Sequence, residues 1–99
     1  MTITKKQDGG AMTIALEGRL DTTTAPELES EIKSTLDGVT ALTFDLAKLD
    51  YISSAGLRVL LLAQKTMNRQ GKMRIRNVSA RVRTVFSITG IERIVNIVD

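Results

Sequence analysis

The sequence predicts a single α/β domain, in which a mixed β-sheet with an opening hairpin is packed against about three main helices. Near the start, two strand patterns are separated by the turn sequence Asp8-Gly9-Gly10, and adjacent glycines supply the positive φ angles that a tight hairpin needs. Strand and helix patterns then alternate, as in α/β domains. With 99 residues and 42% hydrophobic content, the chain can bury one core, so we expect one domain over residues 1–99.

The two predicted hairpin strands differ in their burial. Residues 1–7 are polar enough for an edge strand, whereas Met12, Ile14 and Leu16 alternate with polar or small residues. This period of two indicates a strand with one buried face. We expect Gly18-Arg19-Leu20-Asp21 to end it.

A first helix is expected after this turn. Thr24 and Glu27 have the spacing of a capping box, and Pro26 suits the first helical turn. Gly38 is placed as a C-terminal signal. Between these ends, one apolar stripe would pack on the sheet, formed by Leu28, Ile32 and Leu36.

A second internal strand is predicted over residues 39–46, with Asp45 near its carboxyl end. A connection over residues 47–52 would lead to the longest helix, which begins near Ser54 and runs to about Gln70. The remaining predicted elements are a strand over residues 73–76, a shorter helix from Ser79 to Gly90, and a last strand over residues 94–98.

Two adjacent hydroxyl groups stand immediately before the most apolar helix. Ser53 and Ser54 occupy the region where an N-cap belongs, and a run that is almost unbroken in its hydrophobicity follows. Free backbone N–H groups and aligned peptide dipoles make a helix N-terminus favourable for negative charge. Ligand and partner sites collect at the carboxyl ends of strands in α/β sheets. A phosphate on Ser54 would therefore be well placed.

This stretch resembles the bacterial anti-sigma factor antagonists, which are small STAS-domain proteins. The resemblance is carried by Ser53-Ser54-Ala55-Gly56-Leu57, with a second match at Gly18-Arg19-Leu20-Asp21, and it covers essentially the whole chain. In that family a phosphorylated serine precedes Gly-Leu and a hydrophobic helix. Aligned on Gly56, that serine corresponds to Ser54. The chain departs from the family at Ser53, where aspartate is frequent, and at Ala55, where a second hydroxyl is frequent.

The resemblance implies a non-enzymatic regulatory switch with two protein partners. The first is an anti-sigma factor that is also a serine kinase: it binds ATP, sequesters a sigma factor, and phosphorylates the antagonist. The unphosphorylated antagonist would capture this kinase, and a metal-dependent serine phosphatase would reset the cycle. The family aspartate that corresponds to Asp21 lies close to the phosphorylated serine. We therefore expect a partner-binding surface formed by Asp21, Thr22, Thr23, Ser53, Ser54, Ala55, Gly56 and Arg58.

Helix geometry adds Arg58 independently of the resemblance. It lies four residues after Ser54, and helical side chains lean toward the N-terminus, so its guanidinium group can reach back toward a phosphate there. The alternative is a solvated arginine. Ser54 likewise has a structural alternative as an N-cap worth about 1 kcal/mol, and Asp21 one as a turn residue. For the whole domain, the alternative is a ligand-sensing or scaffolding STAS module without a phosphorylation cycle.

The composition excludes several other classes of function. The chain has no cysteine and no histidine, which removes disulfides, thiolates and the commonest general base and metal ligand. We therefore expect no catalytic site, cofactor or metal. A net charge of +3 fits a solvated surface or an acidic protein partner, and three aromatic residues are too few for a nucleic-acid stacking platform. No stretch approaches the ~20 apolar residues of a membrane span, so a cytoplasmic location is expected.

Overall fold

A computed structural model describes residues 1–98 and contains one mixed sheet of five strands in the order β1-β2-β3-β4-β5. β1 and β2 form the predicted antiparallel hairpin, and each later pair is parallel. The fold class is thus confirmed. The elements are β1 Thr2–Asp8, β2 Ala11–Leu20, α1 Ala25–Thr35, β3 Ala41–Ile52, α2 Ser54–Asn68, β4 Lys72–Arg76, α3 Ala80–Thr89, a 3-10 turn Ile91–Arg93, and β5 Ile97–Val98.

The two central strands are longer than predicted. β3 continues to Ile52, so residues 47–52 are strand and the predicted connection is wrong. The extension exists because β2 also continues to Leu20, which pairs with Ile52 after two register shifts. Asp45 therefore lies within β3 and not near its end. There it accepts hydrogen bonds from Ala47 N and Asn77 Nδ2, each at 3.0 Å.

The C-terminal strand is shorter than predicted. Residues 94–98 were expected to be strand, but only Ile97–Val98 pairs with β4. Residues 94–96 instead lead out of the 3-10 turn, which ends at Arg93 with Ile94 as its C-cap and follows Gly90 at a φ of +76°. That left-handed residue closes α3 as expected and turns the chain before the sheet is reached.

The helices cover one face of the sheet. β4 shows this most simply, since Met73 and Ile75 are buried whereas Lys72, Arg74 and Arg76 are exposed. The largest fully buried side chains of the sheet belong to the covered face, and they include Ile14, Leu16, Leu42, Phe44, Leu46 and Ile75. The opposite face is open.

Two contacts fix α2 at its ends. At its start, Gly56 packs so closely on the sheet that an added Cβ would lie 2.6 Å from Leu20 Cγ and 3.0 Å from Ile52 Cγ1. Beyond its end, Gln70 Nε2 donates hydrogen bonds to Leu36 O and Val39 O, each at 2.6 Å. The helix is therefore held at both ends. In the part of the chain that is described, no helix is long and apolar enough to cross a membrane.

Candidate functional site

The serine pair lies where the two longest strands end together. β3 ends at Ile52, and α2 starts at Ser54 with only Ser53 between them. Ser53 N donates a 2.9 Å hydrogen bond to Leu20 O, which ties this junction to the end of β2. With Gly56 packed on Leu20, the backbone around Ser54 is fixed on both sides. A group on Ser54 is thus presented from a rigid edge of the sheet.

Ser53 is the N-cap of α2, and Ser54 is the first helical residue. Ser53 has an extended backbone, with ψ at 174°, and its Oγ accepts the hydrogen bond of Gly56 N at 3.5 Å. Ser54 is exposed, and its hydroxyl has no hydrogen-bond partner within residues 1–98. The structural alternative for Ser54 as the cap is therefore wrong. Extended pairing of Ile52 with Leu20 carries the strand geometry into Ser53, and this settles which serine caps the helix.

The electrostatic surroundings of Ser54 leave room for a negative charge. The first turn of α2 contains no acidic residue. The N–H groups of Ser54 and Ala55 point out of the helix start without an intrahelical acceptor. Together with the helix dipole, they favour an anion by roughly 0.3–1 kcal/mol at an exposed site.

Asp21 organises the neighbouring loop between β2 and α1. Its Oδ1 accepts hydrogen bonds from Thr23 N at 3.0 Å and from Thr23 Oγ1 at 2.8 Å, and a third from Thr24 N at 3.2 Å. These donors, the Thr23 hydroxyl first, hold the pKa of Asp21 below its ordinary value. Asp21 is thus a structured carboxylate whose bonds shape the loop.

Thr24 holds the same loop in a way that the sequence did not predict. Its hydroxyl accepts from Asp21 N at 2.8 Å and donates to Arg19 O at 2.9 Å. It makes no side-chain hydrogen bond to the start of α1, so the predicted capping box with Glu27 is wrong. The Thr24 hydroxyl instead bonds to the backbone of Arg19 and Asp21 and so stabilises the loop.

Arg19 is a surface residue that sequence reasoning missed. Its guanidinium carbon lies 4.2 Å from the centroid of the Tyr51 ring, and its Nε lies 3.7 Å from Asp21 Oδ2. Arg19 and Tyr51 are register partners on β2 and β3. The contact between Arg19 and Tyr51 joins the ends of both strands beside the serine junction. It could not be predicted from the sequence, because it depends on the two register shifts.

A groove of about 200 Å³ separates the starts of α1 and α2. It brings Thr22 of the loop together with Ala55 and Arg58 of α2, and Glu29 of α1 closes it from the other side. Arg58 is exposed and has no ion-pair partner within the described residues. Several residues of the expected surface therefore share one edge of the molecule.

Thr23 and Gly56 were also predicted to belong to the partner surface, but neither lines this groove. Thr23 is exposed next to Asp21, on the same loop as Thr22. Gly56 is buried, so its effect on any partner must pass through the position of α2. Residues 1–98 contain no group of three or more acidic side chains that would hold a metal ion.

Comparison with known proteins places this architecture in a family. A family model for the STAS domain matches residues 2–99. BtrV of Bordetella bronchiseptica, named as a candidate anti-sigma factor antagonist, is 38% identical over 92 residues, which cover 91% of this chain and 79% of BtrV. The anti-sigma-B factor antagonist of Listeria monocytogenes is 31% identical over 96 residues, which cover 94% of this chain and 83% of the relative.

Solved structures share the fold at lower sequence identity. The crystal structure of an anti-sigma factor antagonist from Mycobacterium paratuberculosis has a TM-score of 0.87 at 23% identity, covering 97% of this chain and 83% of that one. Unphosphorylated SpoIIAA, also an anti-sigma factor antagonist, has a TM-score of 0.78 at 19% identity, covering 99% and 88%.

The mixed five-stranded sheet and the family match together define a STAS domain. On its identity with these two relatives, the chain belongs to the anti-sigma factor antagonist family.

Proposed function

We propose that this protein is an anti-sigma factor antagonist whose activity is controlled by phosphorylation of Ser54. Unphosphorylated, it binds an anti-sigma factor that is also a serine kinase, and phosphorylation ends that complex. The proposal rests mainly on the different environments of the two serines. Ser53 caps α2, whereas the Ser54 hydroxyl is exposed and has no hydrogen-bond partner within residues 1–98.

The proposed partner surface is the edge that surrounds Ser54. It consists of Ser54 and the groove residues Thr22, Ala55 and Arg58, with Thr23 beside them. A partner that docks here would remove Ser54 from water. A phosphate adds about −1.5 to −2 charges, and burying such a charge against a surface built for a neutral hydroxyl is strongly unfavourable.

Phosphorylation of Ser54 would leave the fold in place. The cap hydrogen bond belongs to Ser53, so no bond of the helix start has to break. The first turn lacks acidic residues, so the added charge meets free N–H groups without a carboxylate on the same turn. The switch would therefore act through surface charge and shape.

In this proposal the chain is a substrate and a binding partner without a catalytic step of its own. The kinase places the phosphate on Ser54, and a metal-dependent serine phosphatase removes it. The solved structures with a similar fold include both an unphosphorylated and a phosphorylated form of SpoIIAA. The proposed location is the cytoplasm, where these partners would act on it.

The proposal is tested with the kinase-type anti-sigma factor of the same bacterium. The two purified proteins are incubated with Mg²⁺ and ATP, and phosphopeptides are mapped by mass spectrometry in the wild type, Ser54→Ala and Ser53→Ala. Label on Ser54 that persists in Ser53→Ala supports the proposal. Label on Ser53, or a complex that forms equally well before and after phosphorylation, contradicts it; neither labelling nor binding would instead support a ligand-sensing or scaffolding STAS module.

A further inference from the structure

The face of the sheet opposite the helices, here called the open face, carries small side chains at its centre. β2 contributes Ala11, Thr13 and Ala15, and β3 contributes Ala41 and Thr43 opposite them. Long side chains flank this centre, so it forms a depression. No helix or strand formed by residues 1–98 covers it.

The depression divides into two parts with different charge. One part, of about 290 Å³, contains carboxylates and amines together, namely Glu17 and Asp45 with Lys6 and Lys48. The other part, of about 460 Å³, lies at the starts of β2, β3 and β4 and has Lys72 and Arg74 as its charged residues. Within residues 1–98, no carboxylate lines this second part, which we call the basic trough.

Arg74 is held in place at the trough. Its Nε donates a 2.9 Å hydrogen bond to Thr43 Oγ1 on the neighbouring strand. Thr43 is consequently buried, although it lies on the open face. In the described chain no carboxylate pairs with the guanidinium group of Arg74. An arginine fixed through Nε keeps its terminal nitrogens available for a carboxylate, at a reduced cost in side-chain entropy.

In the part of the depression that contains both carboxylates and amines, the carboxylate of Asp45 has hydrogen-bond donors and positively charged groups around it. Asp45 accepts hydrogen bonds from Asn77 and Ala47, and Arg76 and Lys48 act on it electrostatically. Asn77 is the strongest of these influences, and together they lower the pKa of Asp45. Lys72 and Arg74 have no such counterpart in residues 1–98.

We infer that the basic trough is a docking surface for an acidic, extended segment of a partner protein. Lys72 and Arg74 have no carboxylate partner within residues 1–98 and can attract the carboxylates of a partner, and a trough across strand rows suits an extended chain. Among residues 1–98, no aromatic side chain on which a base could stack lines the trough, and two cations are few for a phosphate backbone. A protein segment is therefore favoured over nucleic acid.

The trough is separate from the Ser54 edge. Thr43 lies at the start of β3 and Ile52 at its end, so nine residues of strand, or about 30 Å, separate the two surfaces. The longest dimension of the molecule is 32 Å. A partner in the trough would leave Ser54 accessible, and both surfaces can be occupied at once.

The test uses a fluorescent polyglutamate peptide of about ten residues as the probe, long enough to span the strand rows of the trough. In ¹⁵N NMR titrations of the wild type at low salt, the expected shifts fall on Thr13, Thr43 and Arg74 and leave Ser54 unchanged. By fluorescence anisotropy, Arg74→Glu is expected to raise the Kd by about tenfold or more. Arg81→Glu makes the same charge change on the exposed surface of α3 and is the matched control, with little expected effect.

Three results would overturn the inference. One is an equal loss of affinity in Arg81→Glu and Arg74→Glu, which would indicate unspecific attraction. Another is a set of shifts that falls outside the trough. The third is tighter binding of an oligothymidylate of equal length to the same residues, which would make the surface a nucleic-acid site. Melting curves check the fold of each variant, and Lys72→Glu replaces Arg74→Glu if the latter does not fold. Ser54→Asp is expected to bind the peptide as the wild type does, and weaker binding by this variant would contradict the separation of the trough from the Ser54 edge.

Discussion

The two adjacent serines should differ in their contribution to folding stability when each is replaced by alanine in the unphosphorylated protein. Ser53→Ala removes the oxygen that accepts from Gly56 N. Loss of an N-cap typically costs about 0.5–2 kcal/mol. Because this bond is 3.5 Å long, we expect the lower part of that range, about 0.5–1 kcal/mol.

Ser54→Ala removes a hydroxyl that has no partner in the described chain. Alanine is also the better helix former. The expected change in the free energy of unfolding is within about 0.5 kcal/mol of zero, as for exposed positions without special contacts.

The assay is thermal and urea unfolding of both variants beside the wild type. For a domain of this size, 1 kcal/mol moves the melting temperature by roughly 4–8 °C, so Ser53→Ala should melt about 2–8 °C lower while Ser54→Ala stays near the wild type. Equal urea m-values would show that neither change alters the unfolded state. If Ser54→Ala lost as much stability as Ser53→Ala, the assignment of the cap to Ser53 would be refuted.

The remaining predictions concern the residues that position or surround the switch. Gly56→Ala should lose roughly 1–2 kcal/mol of stability in urea unfolding, since the new methyl group collides with buried side chains; unchanged stability would show that the helix start yields easily. Gln70→Ala removes two hydrogen bonds to backbone carbonyls and should cost about 1–3 kcal/mol without altering phosphorylation, whereas an altered phosphorylation rate would speak against a purely structural role. Asp21→Asn should flatten the acid limb of the stability curve: the pKa of Asp21 is lowered in the fold, so its contribution is complete above the unfolded value near 3.8 and is lost as the pH falls through the lower folded value. A variant that follows the wild-type curve at low pH would mean that Asp21 contributes nothing to it. Arg58→Gln should raise the phosphoserine pKa at position Ser54 in ³¹P NMR, because a nearby cation favours the dianion; equal values in both proteins would leave Arg58 as a solvated residue.

The fold was predictable where the signal is local. Gly9 and Gly10 specify a hairpin by their own conformational freedom, and Gly9 does adopt a φ of +60°. The alternation of Met12, Ile14 and Leu16 likewise predicts its buried face without knowledge of the partner strand. Such signals depend only on neighbouring residues, so a single sequence carries them.

The ends of the long strands were not predictable because they depend on pairing. Residues 47–52 contain Lys48 and Asp50, which interrupt the expected alternation. They nevertheless form strand because β2 runs beside them and two register shifts absorb the mismatch. The same dependence hid the contact between Arg19 and Tyr51. It also hid the identity of the cap, since Ser53 and Ser54 are equally good capping residues by type.

The way α2 is anchored determines how the proposed switch can act. Gly56 is packed against Leu20, and Ser53 N is bonded to Leu20 O, so the start of α2 cannot shift without disturbing the end of β2. A phosphate on Ser54 would attach outside these contacts. We therefore expect a partner to sense the phosphate directly, by charge and by fit at the edge, because a shift of the helix start would break its contacts with Leu20. This is also why occupation of the basic trough, at the far ends of the strands, should leave the phosphorylation of Ser54 unaffected.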